Sequence, residues 1–181
     1  MCSIVVVVEK VNLDFIIIGA QKAATTFVQR GLVDHPEVSI PDIELDFLIH
    51  NRERDNVLAI TESLFNGLER RKLNGIKGAD YLGHPEIADD VCRIFPDVKL
   101  IAILRDPFSR AFSAYHHLIR YGFFPALPPE EGMAKIYSGE WDDAYPLAKQ
   151  VRDYGKYGRH LRAWIAAAGR ERVLILRQES L

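Results

Sequence analysis

Cysteine is scarce in this chain: Cys2 and Cys92 are the only two in 181 residues. They form no CxxC pair and are too few for a disulfide framework or a structural zinc site. A terminal thiol and a core thiol in a reducing compartment are the expectation, with the cytoplasm as the default setting. Long apolar runs are also missing. Residues 4–8 fall far short of the roughly 20 apolar residues a membrane span needs, and they lack the basic flank and cleavage site of a signal peptide. No membrane contact is expected of this chain. Nor is one charge in excess, since 23 lysines and arginines against 25 acidic residues leave a formal charge of −2. With no global basic field, nucleic acid is not an expected partner, and any anion has to be held by a local arrangement. A metal site is not expected either: His116 and His117 are adjacent, and on a helix they cannot converge on one ion as an i, i+4 pair would. Both are read as helix-surface residues, with a place in the lining of the acceptor cleft as the lesser alternative.

What the chain does have is alternation. Residues 15–18 (FIII), 98–104 (VKLIAIL) and 173–176 (VLIL) are short, mostly β-branched apolar runs. That is the pattern of strands buried on both faces of a parallel sheet, and a weaker strand is expected over 75–79. Between them, helices are predicted over 25–33, over 57–71 through Leu58, Leu64 and Leu68, and over 86–95 between His84-Pro85 and Pro96. Another is predicted over 158–168, closed by Gly169. This βαβ rhythm predicts one α/β domain over 1–181, a three-layer α/β/α stack around a central parallel sheet. Residues 121–154 interrupt it. Their four prolines, three glycines and scattered aromatics predict a loop-rich excursion, either a candidate substrate lid or an irregular connection.

The chemistry concentrates in two stretches. In FIIIGAQKAATTFV, residues 15–28, a buried strand ends at Gly19, a tight polar turn follows, and a helix starts near Thr25. Such a turn gathers backbone N–H groups and a helix N-terminus around one point, which is a phosphate cradle, and Lys22 is the cation that answers to the anion. The nucleotide pattern G-x-x-x-x-G-K-[ST] is not met: Ala24 stands at its second glycine and Thr25 at its lysine. In LIAILRDPFSRAFSAYHH, residues 100–117, a buried strand delivers Arg105 at its carboxyl end, Asp106 caps, and Pro107 suits a first helical turn. Open α/β sheets bind ligands at that place. Arg105 offers a planar fork for a second phosphate, and Ser113 adds a hydroxyl to the same group. Two separated anion sites imply a doubly phosphorylated ligand. The competing structural reading leaves Lys22 solvated and pairs Arg105 with a carboxylate.

These stretches resemble the two nucleotide motifs of sulfotransferases that use 3′-phosphoadenosine 5′-phosphosulfate (PAPS), in the branch of the heparan sulfate enzymes and many bacterial homologues. HPEVSI (35–40), IELDFL (43–48), GADYLGHP (78–85), the segment 154–164 and LILRQESL (174–181) are similar to further family segments, in the family's order. The resemblance implies a P-loop nucleotide-hydrolase-like architecture and transfer of a sulfuryl group from PAPS to an acceptor hydroxyl or amine, on a carbohydrate or a small molecule. It implies that Gln21, Lys22, Ala23, Ala24, Thr25 and Thr26 form the loop around the 5′-phosphosulfate, with Lys22 neutralising the leaving oxygen. Arg105 and Ser113 would hold the 3′-phosphate, Glu44 would be the general base, and no metal is needed. The chain departs from the family in having Ala23 and Ala24 where glycine is usual, Ile43 where a lysine precedes the glutamate, and Asp46 where a histidine follows it. It also ends where the family continues with a helix and a basic loop, so the C-terminal part of the fold is expected to be missing, in a fragment or a reduced homologue. Trp141, Tyr145 and Tyr154 are candidates either for stacking on the nucleotide or for local core. Two alternatives stay open: a P-loop small-molecule or nucleotide kinase, for which Asp80 and Asp106 are the available magnesium ligands, and a non-catalytic nucleotide-binding remnant of the fold.

Overall fold

The computed structural model describes residues 11–69 and 71–181. In chain order it runs β1 (Phe15–Gly19), α1 (Thr25–Val33), β2 (Val38–Ser39), α2 (Phe47–His50), α3 (Arg54–Leu64), β3 (Leu73–Lys77) and α4 (Ala88–Ile94). It continues with β4 (Lys99–Leu104), α5 (Pro107–Arg120), α6 (Pro129–Ser138), α7 (Leu147–Asp153), α8 (Tyr157–Ala168) and β5 (Val173–Arg177). The five strands form one sheet in the order β2-β3-β1-β4-β5, and every pairing is parallel. Helices flank it, giving the three-layer α/β/α architecture. The strongest apolar runs take the most buried places: every residue of β1 is buried, in register with Gly75 of β3 on one side and Lys99 of β4 on the other through Phe15. Each fully buried isoleucine of that strand contributes about 1.5–3 kcal/mol relative to exposure.

This strand order places the site. From β1 the chain passes to the edge strand β2, returns inward to β3, and then crosses to β4 and β5 on the other side, so β1 and β4 flank a topological switch point. The crevice outside their carboxyl ends is where open sheets of this type take ligands. Gly19 ends β1 there. It has a φ of +141°, and an added Cβ would lie 2.7 Å from the Ala79 carbonyl oxygen, so a glycine is required for the strand to turn under the 79–82 segment.

Several expected boundaries move. The helix expected over 57–71 runs Arg54–Leu64 and stops at Phe65, where Gly67 takes a φ of +84° that turns the chain away. The weak strand expected over 75–79 is Leu73–Lys77, two residues earlier. The helix expected over 86–95 opens with a 3₁₀ turn, Pro85–Ile87, before α4.

The largest correction concerns 121–154, expected to be loop-rich. It holds α6 and α7, which pack on α5 as a second core through Phe124, Met133, Ile136, Trp141 and Val151. The glycine and proline residues there punctuate helices: Pro129 is the first residue of α6, Gly139 its left-handed C-cap at φ 82°, and Pro146 precedes α7. Trp141 is 6% exposed and lies against Phe124 and Tyr145 at ring-centroid distances of 5.2 and 4.9 Å, so it is core. Among the described residues no helix is long and apolar enough to cross a membrane, and no group of three or more potential metal ligands occurs.

Candidate active site

The turn after β1 is built on two left-handed residues, Lys22 at φ 65° and Ala24 at φ 67°. Neither is glycine, and such a conformation costs a non-glycine residue about 1–2 kcal/mol. It swings Lys22 and Ala24 toward the crevice and turns Ala23 inward, where the alanine is fully buried and donates its N–H to the Ala20 carbonyl at 3.1 Å. Ala24 is also the N-cap of α1 and offers no side-chain cap, so the first N–H groups of that helix remain free for a ligand.

Across the crevice, β4 delivers Arg105 beside this turn, its guanidinium donating to the Lys22 carbonyl at 3.2 Å. Asp106 caps α5 by accepting from the Ser109 N–H at 2.8 Å, which holds its carboxyl below the usual carboxylate range. Pro107 starts the helix, as its sequence position predicts. Nearly two and nearly three turns further on, α5 presents Ser113 and His117 to the crevice.

The third wall is the segment before α2. The buried Gln29 of α1 donates its side-chain amide to the carbonyls of Pro41 and Ile43, at 2.6 and 3.0 Å, and so holds the chain just ahead of Glu44. Glu44 then accepts from the Ala79 N–H at 2.7 Å and is ion-paired with Lys77. Lys77 is 2% exposed at the end of β3 and also donates to the Thr26 hydroxyl at 3.2 Å. One buried ammonium therefore ties the candidate base to the anion loop.

All three walls line a single cavity of about 570 Å³, a size usual for small-ligand sites. Gln21, Lys22, Ala24, Thr25 and Thr26 form its loop side, and Glu44, Arg105 and Ser113 close it. Of the residues expected from sequence, only Ala23 stays out of the lining. Residues 121–154 contribute none of the lining, so the candidate lid does not sit over this cavity. Tyr154 and Trp141 lie elsewhere too: the Tyr154 hydroxyl meets the His84 ring at 2.9 Å.

Five lining or supporting residues escaped the sequence reading, Ala79 and Gln178 of the lining among them. Lys77 reads as an ordinary strand lysine in IKGAD, and nothing local announces that it is buried. Asp80 lines the cavity although it was considered only as a magnesium ligand. His117, expected on the helix surface, faces the cavity, with its Nδ1 3.2 Å from Lys22 Nζ. Its signal was available, because Ser113 and His117 are four residues apart and share one face of α5.

The electrostatics of the loop wall are those of a site short of negative charge. Burial, then Arg105 and Arg120, push the Lys22 ammonium below its ordinary value. Burial, then Lys22 and Arg120, push His117 below 6.5. Among the described residues neither Lys22 nor Arg105 is ion-paired with a carboxylate, so the reading that spends Arg105 on a structural salt bridge falls.

A family model described as the sulfotransferase domain matches residues 12–181. The chain belongs to the sulfotransferase domain family. Its relatives include the membrane-associated sulfotransferase kil1 of Dictyostelium discoideum, 28% identical over 120 residues, covering 65% of this chain and 26% of that protein. Heparan sulfate glucosamine 3-O-sulfotransferase 6 of Mus musculus is 29% identical over 155 residues, covering 83% of this chain and 42% of the relative. Among solved structures, a sulfotransferase from Alicyclobacillus acidocaldarius superimposes with a TM-score of 0.77 at 27% identity, over 94% of this chain and 74% of that one. The sulfotransferase domain described here spans only 26% and 42% of the length of the two sequence relatives named above.

Proposed function

We propose that this sulfotransferase domain moves a sulfuryl group from PAPS to the hydroxyl or amine of an acceptor. One observation carries the reading: Lys22 and Arg105, unpaired with any carboxylate among the described residues, face one cavity from two different elements. Two cations presented by separate elements suit a ligand with two phosphate groups. The donor, when bound, supplies an activated sulfuryl group on a phosphate leaving group.

The chain's own residues divide the remaining work. The αL turn at Lys22 and Ala24 and the start of α1 offer N–H donors to the 5′ end of the nucleotide, with the hydroxyls of Thr25 and Thr26 beside them. Lys22 counters negative charge as it develops on the leaving oxygen. Arg105 and Ser113 hold the 3′-phosphate. Glu44, fixed by the Ala79 N–H and by Lys77, takes the proton that the acceptor loses.

Calorimetric titration of the 181-residue chain with 3′-phosphoadenosine 5′-phosphate (PAP), beside ADP with magnesium, tests this reading. PAP is expected to bind and ADP with magnesium to bind far more weakly; the reverse order would favour a kinase. Arg105→Ala should weaken PAP by about 10- to 100-fold, the worth of a charge-assisted contact to one phosphate.

A pH series gives a second check. PAP brings negative charge beside His117 and raises its depressed pKa, so binding takes up a proton. Affinity is therefore expected to be highest below the free protein's histidine value and to fall as the pH rises through the bound-state value. His117→Gln should flatten the profile; an unchanged slope would place the titrating group elsewhere.

A further inference from the structure

The cleft is electrically two-sided. Lys22, Arg105 and His117 line one side, and Glu44 and Asp80 line the other. The cation nearest the acidic side is already engaged, since Lys77 pairs with Glu44 and with the Thr26 hydroxyl. Asp80 makes no ion-pair contact with a lysine or arginine among the described residues, the buried Arg110 acting on it only at longer range. Burial, Glu44 and Asp46 push its carboxyl above the usual range, while His84 and the Gln21 amide pull only partly the other way. His84 is itself held between Glu86, at 2.8 Å, and the Tyr154 hydroxyl.

Nothing described so far uses Asp80. It stands at the N-cap of the 3₁₀ turn Tyr81–Gly83 but its carboxylate makes no capping bond there, a carboxylate at this place repels the phosphates of a nucleotide, and proton abstraction needs only one base. It lines the cavity beside that base, however, where the acceptor has to enter. Its unmet demand is for positive charge.

We propose that Asp80 is the acceptor-selecting residue of this cleft, and that it favours an acceptor whose reacting hydroxyl or amine neighbours a positively charged group, an ammonium above all, over an anionic chain. The proposal rests on the sulfuryl-transfer reading for the location of the acceptor. It is consistent with the two substitutions in the 43–48 segment: Asp46 adds negative charge that reaches Asp80 and Ile43 adds no cation, so a sulfated or carboxylated glycan meets like charge where a cation meets Asp80.

Two matched sets of probes separate the possibilities. Tyramine, 4-ethylphenol and 4-hydroxyphenylacetate share a phenol and differ in charge; glucosamine, glucose and glucuronate do the same on a sugar. Each is titrated into the full chain with and without saturating PAP, and assayed for turnover with PAPS. The cationic member of a set is expected to bind about 10- to 100-fold more tightly than the anionic one, the range of one charge-assisted contact. Asp80→Asn should bring that ratio close to 1, mainly by raising KM for the cation with a smaller change in kcat, and should not weaken PAP. A wild-type ranking that is flat or reversed, a ranking that survives Asp80→Asn, or failure of all six probes to bind would overturn the proposal. Failure of PAP to bind would instead count against sulfuryl transfer, and the ranking measured without nucleotide would still judge Asp80.

Discussion

Replacing Lys22 by alanine is expected to lower kcat by about 10²- to 10³-fold, the usual cost of removing one preorganised group that meets developing charge. The effect should fall on kcat more than on the KM for PAPS, because the charge on the leaving oxygen is largest in the transition state and Arg105 with Ser113 still hold the far phosphate. The fold should not suffer. Lys22 is a cation disfavoured by burial and by Arg105 and Arg120, so its removal relieves repulsion, and the melting temperature is expected to stay level or to rise. Lys22→Arg is expected to restore little. The guanidinium is larger and planar, and the ammonium sits on a left-handed residue whose Nζ is already against His117. Turnover that survives both substitutions would remove Lys22 from the chemistry.

Much of the scaffold was legible because its signals are local. The runs FIII and VKLIAIL are apolar without alternation, which fixes them as strands buried on both faces, and Arg105-Asp106-Pro107 marks the passage from β4 to α5 by chemistry that each residue carries alone. The tight turn between β1 and α1 was legible for the same reason. What stayed hidden depends on tertiary geometry. Lys77 lies in a short strand whose two faces the sequence does not distinguish, and its partner Glu44 comes from a segment fixed by Gln29 of α1. The helices in 121–154 were hidden by their own caps, since prolines and glycines dense enough to suggest a loop sit at helix ends and leave the interiors intact. Their apolar residues face α5, so the segment buries aromatics in its own core, while Ser113 and His117 of that helix line the cavity.

The Glu44–Lys77 pair carries the second large effect, because two functions converge on one ion pair. Glu44→Ala should lower kcat by about 10²- to 10⁴-fold through loss of the general base. It should also destabilise the fold, since Lys77 is 2% exposed and among the described residues its ammonium keeps only the Thr26 hydroxyl as a partner. Stranding one charge of a fully buried pair costs about 3–5 kcal/mol, and the open side of Glu44 reduces that here to roughly 2 kcal/mol. Lys77→Met separates the two effects. Combined with Glu44→Ala it leaves no buried unpaired charge, so denaturant unfolding of the double variant should show stability recovered while turnover stays lost. Lys77→Met alone should keep the base but loosen it, lowering kcat by about tenfold as positioning is lost. A Glu44→Ala variant that is unstable yet turns over normally would make the carboxylate a counter-ion for Lys77 and nothing more, and the proton would have to leave the acceptor by another group of the cleft. The same double variant decides that case, because it then regains stability while its kcat stays normal.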